Sequence, residues 1–141
     1  MNENNKILID TSFMVAVYYP EDKFHLSAMG FANQSIYAAL FPEVALTETC
    51  FLLRRNAGLL SVQYFLDDLQ AEETSIQSLT LLDIKRARDI MTEYATAKFD
   101  FVDCCLMALS ERLNITRICT FDRRDFSIFR PKHCDYLELL P

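Results

Sequence analysis

Short apolar runs alternate along this chain with stretches of helical periodicity, and that alternation limits the fold more than any other feature. Residues 6–10 (KILID), 35–41 (SIYAALF), 74–79 (TSIQSL), 117–121 (RICTF) and 136–139 read as strands. Between them, residues 13–18, 22–34, 43–56, 61–73, 80–97 and 100–113 read as helices. The stretch 80–97 is the clearest, with Ile84, Ala87, Met91 and Tyr94 at three- and four-residue steps predicting its buried face. Strands joined through helices are parallel, and a parallel sheet is stable only when both of its faces are covered. With 141 residues and no linker, repeat or low-complexity segment, the expectation is one α/β domain spanning residues 1–141.

Composition removes several function classes. The two glycines, Gly30 and Gly58, cannot write a glycine-rich phosphate loop. Lys and Arg number 14 against 20 Asp and Glu, a net charge of −6, so the chain does not coat nucleic acid by bulk charge. The deficit lies in residues 1–97, while residues 98–141 are balanced at 7 and 7. Five cysteines without a C-x-x-C pair, and only two histidines, offer few zinc ligands and read as free thiols of a reducing cytoplasm. Met1–Asn5 does not resemble a signal peptide, and the longest uncharged stretch, residues 24–42, is too polar to span a bilayer. The expected location is cytoplasmic, without membrane attachment.

Four acids stand out. Asp10 closes the first strand and Asp122 the RICTF strand, so both face one sheet edge if those strands are parallel neighbours. Glu48 is the only charge between Val44 and Leu53, on a helix face made of Val44, Phe51 and Leu52. Asp103 is followed by uncharged residues 104–109. Each acid has a purely structural reading. Asp10 can cap the next helix, Asp103 can form a capping box with Asp100, Asp122 can be a turn residue, and Glu48 can pair with Arg55. Together they suggest a site instead. Clustered carboxylates repel one another unless a cation neutralises them, and an all-oxygen set selects Mg²⁺ or Mn²⁺. Such a site can bind a phosphodiester and activate water.

The segments ILIDTSFMVAVYYPED (7–22), ALTETCFLLRR (45–55) and FDFVDCCLMALSERLNITRICTFDRRDF (99–126) resemble the PIN-domain family of metal-dependent ribonucleases. They are most similar to the VapC-like toxins of toxin–antitoxin pairs. The last segment is the most specific, an acid opening an Ala/Leu-rich helix, then a strand, then T-x-D-x-x-D-F. The resemblance implies an α/β/α sandwich with a central, mostly parallel sheet. It implies metal-site acids at Asp10, Glu48, Asp103 and Asp122, with Asp125 as a fifth contributor and Ser12 and Thr120 as supporting polar groups. It also implies Mg²⁺- or Mn²⁺-dependent hydrolysis of RNA, homodimerisation and inhibition by a cognate antitoxin. Cys104 and Cys105 stand where the family usually has small residues such as Ala; cysteine is small and apolar, so the helix is expected to pack, with sensitivity to oxidation as the alternative.

Two rival readings remain at this level. One is a catalytically silent module of the same fold that binds RNA or protein. The other is a phosphotransferase with an aspartyl nucleophile, disfavoured because Asp10-Thr11-Ser12 lacks the second acid two residues on. For RNA contact the candidates are Arg123 and Arg124, within a stretch where Arg117, Arg130 and Lys132 alternate with Phe121, Phe126 and Phe129. The same phenylalanines can instead pack inward around a solvated turn.

Overall fold

The computed structural model describes residues 5–141; residues 1–4, on which the reading of the N-terminus mostly rests, lie outside the described part. Five parallel strands form one sheet in the order β3-β2-β1-β4-β5. They are β1 (Lys6–Ile9), β2 (Ala38–Pro42), β3 (Ser75–Gln77), β4 (Arg117–Cys119) and β5 (Glu138–Leu140). The helices are α1 (Thr11–Tyr18), α2 (His25–Gln34), α3 (Glu43–Ala57), α4 (Leu59–Ala71), α5 (Leu81–Glu93), α6 (Phe101–Arg112) and α7 (Arg124–Ile128).

The central strand shows why the sheet needs two helical layers. Ile7, Leu8 and Ile9 are all buried, and successive side chains point to opposite faces. Leu8 joins a core with Ala87 and Ile90 of α5, Leu106, Met107 and Leu109 of α6, and Phe126 and Phe129. Ile7 and Ile9 join the other, with Phe13 and Ala16 of α1, Ala28 of α2, Ala45 and Leu53 of α3, and Phe65 of α4. The expected three-layer α/β/α sandwich is thus observed. The chain moves outward from β1 through β2 to β3, then returns across β1 to β4 and β5. The reversal between β1 and β4 opens a crevice at their carboxyl ends, the general ligand position in such sheets.

Several boundaries differ from expectation. Strand β2 begins at Ala38 rather than residue 35, and it runs through Pro42 directly into α3. Proline ends the ladder without leaving an orphan donor and suits the entry to a helix. Helix α4 begins at Leu59, two residues early, because Gly58 at φ 90° turns the chain sharply enough to start a helix at once. The expected helix over 80–97 divides into α5 and a 3₁₀ turn, Ala95–Ala97.

The face of α5 is also corrected. Ala87 is buried as expected, but its buried companions are Asp83 and Ile90, whereas Ile84 and Met91 are exposed. Asp83 completes a reciprocal capping box with Thr80 and accepts from Arg112 Nε on α6 at 2.9 and 3.0 Å. Burial alone would raise its pKa, but the guanidinium and the Thr80 donors together hold it below 3.8. An acid depressed in the folded state contributes stability that is present above its ordinary value and lost as pH falls through the folded one. Asp83→Ala is expected to destabilise the chain by about 2–4 kcal/mol near neutrality, by stranding Arg112 and removing half of a cap. Urea titrations from pH 3 to 7 check this, and a variant with the wild-type acid limb would contradict it.

Candidate metal centre

Asp10 is placed by backbone pairing, its N–H donating to the Cys119 carbonyl at 2.9 Å and so continuing the β1–β4 ladder by one residue. It occupies the N-cap position of α1, yet its carboxylate makes no capping bond. Its Oδ2 instead accepts from Ser12 Oγ and Thr120 Oγ1, both at 2.8 Å. Those hydroxyls are themselves oriented, because Ser12 Oγ accepts from the Phe121 N–H at 2.9 Å and Thr120 Oγ1 from the Asp122 N–H at 3.0 Å. Both hydroxyls can thus donate to Asp10, with the Asp122 carbonyl at 3.2 Å a longer second acceptor for Thr120 Oγ1. Burial raises the Asp10 pKa, these donors oppose the rise, and the Asp122 charge adds to it.

Asp103 lies in the first turn of α6 and is 7% exposed. The capping box with Asp100 does not form. Asp100 caps α6 by accepting from the Val102 N–H at 2.8 Å, and its own N–H donates to Asp125 Oδ2 at 3.3 Å. Asp103 is left facing other acids. Burial pushes its pKa up to about 9, reinforced by the Asp10 charge, a hydrogen bond with Asp125 and the Asp100 charge. From Asp103 to Ser110 every residue of α6 is buried, which accounts for the uncharged run.

Glu48, on α3, is half-buried and does not pair with Arg55. That side chain lies over the Phe51 ring and donates to Asn56 instead. Burial and the Asp100 charge raise the Glu48 pKa; the nearby Thr11 hydroxyl tempers the rise, and Asp10 and Asp122 add to it. The Thr11 hydroxyl is buried without a fully formed hydrogen bond of its own. Asp122 sits beyond the end of β4, which stops at Cys119 rather than Phe121, and it is exposed.

These side chains line one cavity of about 480 Å³ at the β1–β4 crevice, together with Asp125, Asp100, Asp22, Lys23, Phe24 and Phe121. Asp100 and Asp22 were not anticipated. In the sequence Asp100 reads only as a cap, and Asp22 lies in a polar turn after Pro20 with nothing to distinguish it. Asp125 is engaged already. Its Oδ1 meets Arg124 at 2.6 Å and its Oδ2 the Asp100 N–H.

The donor set suits a hard divalent cation: oxygen only and mostly carboxylate, with proton affinities raised by burial and by the neighbouring acids. Among the described residues, no three His, Cys, Asp or Glu side chains are gathered tightly enough to hold an ion as they stand. Asp10 and Asp103 are held in place, while the half-buried Glu48 and the exposed Asp122 have room to adjust.

One other expectation changes. Arg123 is folded onto the Pro141 carbonyl, and Arg124 spans Asp125 and the Ala97 carbonyl at 2.6 Å, so both guanidiniums are turned onto the protein itself. Phe126 and Phe129 pack in the core, as the structural alternative anticipated. Cys104 and Cys105 are fully buried and their thiols are pushed up to about 12 and about 11, chiefly by burial, which makes them inert rather than oxidation-sensitive. All five cysteines are free. No helix of the described residues is long and apolar enough to cross a membrane.

Comparison with known proteins agrees with this architecture. A model of the PIN domain matches residues 7–130. Ribonuclease VapC26 of Mycobacterium tuberculosis is 24% identical over 125 residues, covering 89% of this chain and 93% of that protein. Among solved structures, Mycobacterium tuberculosis VapC20, described as a sarcin–ricin loop-cleaving toxin, superposes with a TM-score of 0.78 at 20% identity. That superposition covers 84% of this chain and 91% of that one.

Proposed function

The chain belongs to the PIN-domain family, and we propose that it is a Mg²⁺- or Mn²⁺-dependent endoribonuclease, the toxin of a toxin–antitoxin pair. The observation that carries this reading is the gathering of Asp10, Glu48, Asp103 and Asp122 around one cavity at the β1–β4 crevice. Its likeness to ribonuclease VapC26 supports RNA as the substrate.

Asp10, Glu48, Asp103 and Asp122 would hold the ion. Bound there, a hard divalent cation supplies the positive charge that lets these carboxylates ionise together and activates water for attack on a phosphodiester. The chain's own contribution is positional. Ser12 and Thr120 fix the Asp10 carboxylate, since rotating it would break two hydroxyl bonds at once. Asp125, braced by Arg124, ties α7 to the start of α6 and steadies Asp103 beside it. We assign Asp125 to positioning rather than to the ion.

Purified chain incubated with total RNA in Mg²⁺, Mn²⁺ or EDTA tests the proposal. RNA should shorten with either ion and stay intact in EDTA. Equal cleavage in EDTA would overturn the metal mechanism, and no cleavage in any buffer would favour the silent binding module.

A net charge of −6 and an acid-lined cavity suit an antitoxin that presents a basic segment. Self-association is proposed through α3 and α4, where Phe51, Leu59, Leu60 and Tyr64 are all more than half exposed. Light scattering should give about twice 16.4 kDa, and a monomer at tens of micromolar would remove the homodimer from the proposal.

A further inference from the structure

The carboxylate cavity poses a problem for a polyanionic substrate. Among its lining residues seven are acids and one, Lys23, is a base. Lys23 sits at the lip, exposed, with its Nζ 5.0 Å from the centroid of the Phe24 ring. Phe24 is held there by the turn before α2, its N–H donating to Asp22 Oδ1 at 2.8 Å. The Phe24 ring lies flat on Phe121, with centroids 4.5 Å apart and planes 2° from parallel. Phe121 in turn stacks at 5.9 Å on the buried Phe13. The lip is therefore a ladder of three rings anchored in the core, ending in the half-buried Phe24 ring with the flexible end of a lysine over it.

We infer that Lys23, Phe24 and Phe121 form a nucleotide-anchoring platform beside the carboxylates, on which the base next to the cut phosphate stacks. This rests on the ribonuclease reading above. A nucleotide offers a flat base and a phosphate one sugar apart. The base takes the outer face of Phe24 as the Lys23 ammonium swings aside to meet the phosphate. Lys23 can do this because, among the described residues, the ring is its one partner, in contrast to Arg123 and Arg124, which are tied to backbone carbonyls. Stacking on an aromatic face requires an unstacked base, so paired RNA is excluded. The buried Phe13 and the stacked Phe121 preorganise the ring, so little ordering is needed on binding.

The test is cleavage in Mn²⁺ of a labelled single-stranded RNA, alone and annealed to its complement. Anisotropy of the same strand in EDTA gives a binding readout without cutting. The single strand should be the preferred substrate. Phe24→Leu should raise KM and weaken binding by about tenfold or more with a smaller change in kcat, and Phe24→Tyr should restore both. Lys23→Gln should reduce the salt dependence of binding by about one unit of slope. If wild type cuts RNA and both Phe24→Leu and Lys23→Gln match it, or if duplex is cut as readily, the platform is overturned while the ribonuclease stands. If wild type neither binds nor cuts, both readings fall. Should Phe24→Leu melt early, the exposed Lys23→Gln and its salt slope decide alone.

Discussion

Asp103→Asn and Asp10→Asn are each expected to lower RNA cleavage by at least about 100-fold, with the folded state preserved. The magnitude follows from removing a charged group that would hold the ion, since even residues acting one layer behind metal ligands change activity by roughly 10–100-fold. The preservation of fold follows from the geometry. Burial and the neighbouring acids push the Asp103 pKa well up, which favours the neutral carboxyl when no metal is bound, and the near-isosteric amide is then a close replacement. At Asp10 the Ser12 and Thr120 hydroxyls need an acceptor at the Oδ2 position, which an asparagine carbonyl supplies. Circular dichroism and melting temperature establish the fold, and RNA gels read the activity. Asp125→Asn should lose less than either, because its charge is already met by Arg124. An Asp103→Asn protein that cuts at the wild-type rate would dismantle the proposed site.

The contrast between Asp10 and Asp125 shows what could be read in advance. Asp10 was visible because a hydrophobic strand that ends on an acid places it at a sheet edge whatever the partners are. Glu48 was visible because an isolated charge on an apolar helix face demands a reason. The five strands and the six longer helices are legible for the same cause, since periodicity is local, whereas the five-residue α7 is too short to show a period and reads as a turn. What failed was information held by distant partners. Nothing local marks Asp83 of α5 as buried; it is held in by Arg112, 29 residues further on, and the predicted face of Ile84, Ala87, Met91 and Tyr94 gives way to one of Asp83, Ala87 and Ile90. Arg123 and Arg124 looked like phosphate contacts because no sequence pattern records the carbonyls of Pro141 and Ala97 waiting for them. Asp100 looked like an ordinary cap, and it is one. Its second role arises only because α6 points that cap into the crevice.

Adding Mn²⁺ to the metal-free chain is expected to raise its melting temperature by about 5–10 °C, more at pH 8.5 than at pH 5.5. Burial and mutual repulsion raise the proton affinities of Asp103, Asp10 and Glu48. For an acid whose folded pKa is raised, the folded state keeps a proton that the unfolded state releases. Stability therefore falls as pH climbs from the ordinary aspartate value of 3.8 toward about 9. A cation bound only by the folded state competes with those protons, so its stabilising effect grows where they are leaving. At a hundredfold excess over the dissociation constant it contributes about 2.7 kcal/mol, which sets the size of the shift for a domain of this length. Asp103→Asn should flatten the alkaline decline and shrink the Mn²⁺ shift together. Asp122→Asn, at an exposed position, should shrink the shift while leaving the decline nearly intact. Asp67→Asn, on the exposed side of α4, should do neither, which separates the site from relief of general negative charge. Scanning fluorimetry across pH measures all four proteins. A wild type whose stability is flat from pH 4 to 9 and unmoved by Mn²⁺ would mean that these carboxylates are neutralised from within the protein, and that the cavity does not await a cation.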